Sequence, residues 1–497
     1  MYPPTDVLLA ADYAMSHTLS DGVLVVLGFT MILTFMALIM LGRVTPLVAL
    51  ILVPTVFGLI AGAGLGLGDM VLDAIGDMAP TAALLMFAIM FFGIMINVGL
   101  FDPLIRVITR TLGDDPAKVV LGTAVLAGVV SLDGDGSTTF IITTSAMLPI
   151  YLRLGMNPVV LTVVAGLING TMNIVPWGGP TVRAAAALGV DPSDIFVPML
   201  PSLAVGIVVV FVFAWTLGMA ERRRLGGVVD TSRFEEPRGG GGGRGAAPTG
   251  DGGLLLKERG TPRKVLAEVS QDAETEATMA DTMLDPHRPS LRPKLIWFNL
   301  ALTLVVMVLL VADIFPLAFI FMGGTALALA VNFPRVKDQA TEMLAHSSSI
   351  VGVVSMVLAA GVLVGVFNGT GMVEAMAAWI TQVIPNSMGP YLAVITGLLS
   401  IPMTFFMSND AFYFGILPVL SESALHFGIE PVEMARASIT GQPVHMQSPL
   451  VPAILLLVSL AKVNLGEHHK KVLWRATIVS LVMLGVGILG GAIPLGV

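Results

Sequence analysis

The chain contains no cysteine, which excludes disulfides, thiolate nucleophiles and cysteine-held metals. Charge is scarce too. Only 12% of residues are Asp, Glu, Lys or Arg, against the roughly 25% usual in soluble domains. There is no basic surface signal, so nothing argues for a nucleic-acid partner. The hydrolase signatures H-E-x-x-H and G-x-S-x-G are missing, and no enzyme is expected. Met1 to Asp21 hold no Lys or Arg and no small-residue cleavage site after an apolar run. They do not read as a signal peptide.

What the chain has instead is apolar length. Hydrophobic residues make up 55% of it, with a mean hydropathy of +0.88, and a bilayer is the solvent that suits them. A spanning helix needs about 20 mostly apolar residues. Such runs are predicted near 22–41, 45–66, 80–100, 194–219, 295–312, 316–332, 348–366 and 472–495. Longer apolar stretches at 116–190 and 388–464 carry polar breaks. The segment 221–293, with Arg222 to Arg224 and the run Gly239 to Gly243, reads as a flexible linker.

Lys and Arg near span ends favour the cytoplasm. Placing Arg43, Arg106, Arg110, Lys118, Arg153, Arg222 to Arg224, Arg292, Lys294, Arg335, Lys337, Lys462, Lys470, Lys471 and Arg475 there leaves acidic loops outside, at Asp69 to Asp77, Asp191 to Asp194 and Asp313. The linker is then cytoplasmic and the C-terminus external, in a multi-pass protein of the cell membrane. This also requires two re-entrant hairpins entering from opposite faces, about 116–152 and about 388–426. The repeats 22–219 and 294–495 are therefore expected to be inverted.

Internal similarity supports the repeat. Gly93 to Asp102 resembles Gly365 to Glu374, with the acids expected to cap the amphipathic helices that follow. A polar tip follows in each half, Ser131 to Thr139 and Ser408 to Asp410. Then Leu154-Gly155-Met156-Asn157-Pro158 matches Phe427-Gly428-Ile429-Glu430-Pro431, opening the broken helices at about 157–190 and about 431–464. Last come the breaks, Asn169 to Thr181 and Gly441 to Pro449. Inverted repeats with helices interrupted at matching places point to a secondary transporter with its site between them.

Broken backbone at membrane depth survives only inside protein or beside a wet cavity. Half-helix N-termini attract carboxylates and the opposing carbonyl ends attract cations. Candidate solute contacts are Ser137, Thr138, Thr139, Asn173, Gly178, Gly179, Thr181, Ser408, Asn409, Gln442, His445, Gln447 and Ser448. Intramembrane acids are functional candidates by default. Asp133, Asp135 and Asp410, with His445, are candidates for cation or proton coupling. Asp133 and Asp135 are also candidate metal ligands, unless the metal arrives on the solute. An EF-hand is excluded, because Thr138 and Thr144 stand where that loop needs Gly and Glu. Arg183 faces the solute or balances the acids, and Trp177 is read as packing.

These motifs, with Pro46 to Pro54, Met86 to Arg106, Ser131 to Leu152, Asn169 to Val190, Phe196 to Arg224, Gly365 to Glu374, Ser408 to Leu420 and Gly441 to Leu455, resemble the citrate–metal:proton symporter family of the ion transporter superfamily. The resemblance implies an all-α polytopic membrane protein with two inverted repeats, re-entrant hairpins and interrupted helices, forming a scaffold and a transport domain. It implies proton-coupled symport of citrate complexed with a divalent metal, Mg or Ca. No permanently bound cofactor is implied, and a homodimer is. The tips depart from the Ser-Asn-Thr of the superfamily's dicarboxylate branch, reading Ser131-Leu132-Asp133-Gly134-Asp135-Gly136 and Ser408-Asn409-Asp410. The alternative reading is a sodium- or proton-coupled carrier of another di- or tricarboxylate without metal. A passive channel and an acid-pair hydrolase are the remaining, weaker readings.

Overall fold

The computed structural model describes residues 13, 15–16, 19–41, 43–111, 113–134, 136–226, 288–312, 314–385 and 387–496. Among the described residues there are helices and no strands. Eight helices among the described residues are long and apolar enough to cross a membrane. The protein is an all-α, multi-pass membrane protein, and large side chains such as Leu33, Val26, Trp297 and Phe319 lie on its outer surface.

The same succession of elements occurs twice. Two apolar helices, Asp21–Met40 and Pro46–Ile60, precede a long helix, Leu67–Asn97, and an amphipathic one, Asp102–Thr111. Next comes a hairpin, Pro116–Val130 and Gly136–Arg153, turned by a short 3₁₀ segment at Ser131–Asp133. A broken helix, Pro158–Met172 then Gly179–Leu188, leads to Leu200–Arg224. In the second half the helices are Ile296–Ala312, Leu317–Asn332, Ser347–Gly369 and Met372–Val383. The hairpin is Leu392–Phe406 and Leu417–Leu425, joined through a π turn at Ala411–Ile416. The broken helix is Pro431–Ser438 and Gln442–His445, then Pro452–Leu460, and Leu465–Leu489 closes the chain. One helix, Val336–Ala345, has no counterpart in the first half.

Local chemistry explains the matching corners. Gly155 and Gly428 both adopt left-handed φ, 66° and 81°, which L side chains avoid. Three residues on, Pro158 and Pro431 occupy first-turn positions where a missing N–H costs nothing. The Asn157 side chain accepts from the Val159 N–H at 2.9 Å. Glu430 and Glu433 form a capping box. Asp115 caps the first hairpin in the same way, through the Ala117 N–H at 3.0 Å.

Packing separates two groups of helices. Leu67–Asn97 lies mainly against Ser347–Gly369 and Leu317–Asn332, and Ser347–Gly369 also against Pro46–Ile60. These form the scaffold. The hairpins, broken helices and the two closing helices pack chiefly on one another and form the transport domain. Trp177, from the first break, meets the scaffold between Phe92 and Phe321, with ring centroids 5.2 and 5.1 Å away.

Two expectations need correction. Asp69, Asp73 and Asp77 are not in a loop. They lie in Leu67–Asn97 at four-residue spacing on an exposed face, because the helix continues through Pro80 towards its N-terminus. The linker is also shorter at both ends than 221–293. Glu221 is helical and buried, and its carboxylate accepts from the Asn157 N–H at 3.0 Å. At the other end Arg288 is buried. It donates to the Asn97 carbonyl at 2.9 Å and to both carboxylate oxygens of Asp102 at 3.0 and 3.1 Å. It therefore covers the C-terminal carbonyls of a scaffold helix. Residues 227–287, the rest of the expected linker, lie outside the described residues.

Arg288→Met leaves those carbonyls and Asp102 without their charged donor. The substitution is expected to cost about 2–3 kcal/mol of stability, read as a lowered melting temperature in detergent. An unchanged melting temperature counts against the clasp.

Candidate functional site

The two breaks and the second hairpin tip meet. Asn173, at the end of Pro158–Met172, donates to the Gln442 side-chain oxygen at 3.1 Å. Gln442, fully buried at the second break, donates in turn to Asn409 Oδ1 at 3.3 Å and to the Tyr413 hydroxyl at 3.0 Å. Beside them, Arg183 Nε donates to Asp410 Oδ1 at 2.6 Å. This ion pair joins the second segment of the first broken helix to the tip of the second hairpin, and its side chains are 19% and 8% exposed. Arg183 is the only Lys or Arg in the tips and breaks, 131–139, 169–183, 408–410 and 441–449.

The first tip forms a neighbouring polar nest. Asp133 is buried in the turn Ser131–Asp133. Thr139 and the Asn169 amide donate to Ser131 Oγ at 3.4 and 3.0 Å. Asn169 Oδ1 is buried and has no hydrogen-bond donor among the described residues. Ser137 and Thr138 are half-buried in the first turn of Gly136–Arg153. Asp135 lies outside the described residues. Among the described residues, no three His, Asp or Glu side chains converge as a metal cage.

Several other candidates are occupied with backbone. Thr181 donates to the Ile174 carbonyl at 2.8 Å and Ser448 to the Phe405 carbonyl at 2.6 Å. Gln447 donates to the Gly166 and Pro443 carbonyls at 2.9 and 3.0 Å. His445 Nδ1 bonds the Thr404 carbonyl. Ser408 Oγ accepts from the Ala411 N–H at 3.2 Å and so caps the tip. The Gly179 carbonyl accepts from Arg183 Nη1 at 3.0 Å. Gly178 is there for shape, since a Cβ on it would lie 2.2 Å from the Asn173 carbonyl oxygen. Trp177 packs as read, and its Nε1 also donates to the Leu132 carbonyl at 2.7 Å, tying the first break to the first tip.

Sequence reasoning missed Tyr413, Ser131 and Asn169 as partners. It also missed His468, which is fully buried. His468 bonds Gln447 Oε1 through Nε2 and Thr162 Oγ1 through Nδ1, both at 3.1 Å. His468 begins a long charged-looking helix end, Glu467 to Lys471, so only the fold shows that it turns inward.

Two of the side-chain contacts in this centre cross between the halves, Asp410 on Arg183 and Gln442 on Asn173.

Residues 14–441 match the family model described as CitMHS, citrate transporter. The chain belongs to this citrate transporter family. A citrate transporter of Bacillus subtilis (strain 168) is 45% identical over 471 residues, covering 95% of this chain and 99% of that protein. A Mg2+/citrate complex secondary transporter of the same organism is 44% identical over 475 residues, covering 95% and 100%. Among solved structures, an Alcanivorax borkumensis transporter described as having an unusual topology aligns over 95% of this chain and 100% of its own. It does so at 15% identity and a TM-score of 0.46. The family consists of secondary transporters, not enzymes.

Asn173→Ala and Gln442→Ala break the same cross-repeat contact. Their effects on stability are expected to be non-additive, with a coupling of about 0.5–3 kcal/mol in a double-mutant cycle read by thermal unfolding. Simple additivity means that the two breaks do not support each other.

Proposed function

We propose that this protein carries citrate complexed with a divalent metal, Mg or Ca, across the cell membrane in symport with protons. The observation that carries the reading is the balance of charge where tips and breaks meet. One arginine faces Asp410, and Asp133 and Asp135 add carboxylates at the first tip. Such a site is a poor host for bare citrate, which brings three negative charges. Chelation of a divalent metal cancels two of them and gives the acids a cation to face. The 44% identity to a Mg2+/citrate complex secondary transporter supports the same reading.

In this reading Arg183, Asn173, Gln442 and Asn409 hold the citrate, and Ser137 and Thr138 line the approach from the first tip. Asp133, with Asp135, takes the metal side of the complex or a coupling cation. The hairpins enter from opposite faces, the segment 227–287 is cytoplasmic and the C-terminus is external. A homodimer, implied by the resemblance to the dicarboxylate branch, belongs to the same reading.

Sodium coupling is a second reading, favoured by one observation. The nest of Ser131, Thr139 and Asn169 presents neutral oxygens, one of them the buried and undonated Asn169 Oδ1, and such oxygens suit a hard cation. Uptake of labelled citrate into proteoliposomes separates the two. Uptake is expected to require Mg2+ or Ca2+ and to follow an imposed pH gradient. Uptake indifferent to metal overturns the metal–citrate reading, and uptake driven by sodium alone overturns the proton.

Asp133→Asn is expected to abolish uptake while the protein still elutes as a single folded species. Wild-type uptake in this variant removes Asp133 from the mechanism.

A further inference from the structure

We propose that Arg183 and Asp410 form a proton-gated ion pair, in which protonation of Asp410 releases the Arg183 guanidinium to take a carboxylate of the solute. The inference rests on the proton-symport reading above and names how the two cargoes become linked.

The geometry suits an exchange better than a permanent clasp. The guanidinium meets Asp410 through a single bond, Nε to Oδ1 at 2.6 Å, and Nη1 is turned to the Gly179 carbonyl at 3.0 Å. A planar guanidinium can accept a carboxylate in a two-bond fork, and this contact does not use one. The two residues come from opposite repeats, so their contact is not enforced by a shared helix. Asp410 immediately precedes the π turn Ala411–Ile416, a local irregularity that recurs at functional sites.

The surroundings leave few other charges to answer. On the hairpin, Tyr413 shares the polar centre and hydrogen-bonds Gln442. From the second break comes His445, which is buried. Its Nδ1 is already turned to the Thr404 carbonyl. Of the elements packed on Gly179–Leu188, Ser347–Gly369 has no charged residue, Leu67–Asn97 carries its acids at Asp69, Asp73 and Asp77, Pro192–Phe196 carries Asp194, and Leu417–Leu425, which also meets the π turn, carries Glu422. Pro431–Ser438 carries Glu433, bonded to the Glu430 N–H, and Arg436, bonded to the Asp194 and Ala492 carbonyls. Asp21 is the one charge on Asp21–Met40, the scaffold helix that meets the π turn. Asp133 is the described acid of the first tip. Within this set Arg183 is the cation that faces Asp410.

The cycle then follows from competition. An ionised Asp410 is a tethered carboxylate at high effective concentration, and a solute carboxylate loses to it. A proton taken from the solution on one side neutralises Asp410, and the guanidinium is free for the solute. When the solute leaves on the other side, Asp410 gives its proton to that solution and its carboxylate takes the vacated guanidinium. Each cargo raises the affinity for the other, as linkage requires.

Calorimetric binding of Mg–citrate to purified protein, repeated from acid to alkaline pH, tests this. Wild-type affinity is expected to fall with rising pH, approaching about tenfold per pH unit for one linked proton. In Asp410→Asn that dependence is expected to flatten to what the citrate carboxyls themselves contribute, and Asp410→Glu should restore it. Arg183→Gln should weaken binding by about a hundredfold at acid pH, where the guanidinium is free for the solute, and by progressively less as the pH rises, with Arg183→Lys intermediate. Elution profile and melting temperature identify any variant that fails to fold, and the conservative pair Asp410→Glu and Arg183→Lys then carries the comparison. A wild-type pH dependence in Asp410→Asn, or wild-type binding in Arg183→Gln, overturns the gated pair. If the wild type ignores Mg–citrate and binds free citrate, the substrate reading falls, and the same pH series run on free citrate still decides the pair.

Discussion

Lipid offers no hydrogen bonds, so each backbone group freed where a helix breaks must find a partner inside the protein. That constraint organises the polar half of this structure. Thr181 covers the Ile174 carbonyl, Ser448 the Phe405 carbonyl and Trp177 the Leu132 carbonyl. Gln447 covers two carbonyls, one in the opposite repeat. Sequence position alone makes Thr181, Ser448 and Gln447 look like solute ligands. Their partners show that most stabilise the breaks. What is left over is small and comes from both halves: Asn173, Gln442, Asn409, Arg183 and Asp410.

The two halves share an architecture and divide the chemistry. The first half supplies the single cation and the acidic tip. The second supplies Asp410 and the amide of Gln442. Neither half completes the centre alone, because the bonds Arg183 to Asp410 and Asn173 to Gln442 both cross between repeats. A centre built this way depends on how the two broken helices and the second hairpin tip are placed relative to one another. Proteins with a site inside one helix bundle lack that sensitivity.

Much of this was legible from sequence, for identifiable reasons. Hydropathy and Gly/Pro punctuation carry the hairpins and breaks, because left-handed Gly155 and Gly428 and first-turn prolines leave local marks. The acidic stretch Asp69 to Asp77 misled, since charge suggests a loop, whereas four-residue spacing on one exposed face extends a helix. The linker limits were misread because Glu221 and Arg288 look solvated in sequence. Each is buried by a partner far along the chain, Asn157 and Asp102. The site was legible by region and not by role. Asn169, Tyr413 and His468 acquire meaning only through contacts over long separations, which no spacing rule encodes.

The seam between scaffold and transport domain follows the opposite rule from the breaks. Its best-defined contact is aromatic, with Trp177 set between Phe92 and Phe321. Aromatic packing is weakly directional compared with a hydrogen bond, and centroid separations of 4.5–7 Å are all favourable. A surface of this kind tolerates sliding, whereas displacing a buried hydrogen bond leaves an orphaned group. The Trp177 indole N–H is nevertheless committed inward, to Leu132 beside Asp133 at the first tip. One residue thus presents an apolar face to the scaffold and a polar grip to the tip. That bond holds the first tip to the first break, so the seam contact and the turn that buries Asp133 are fixed through the same side chain.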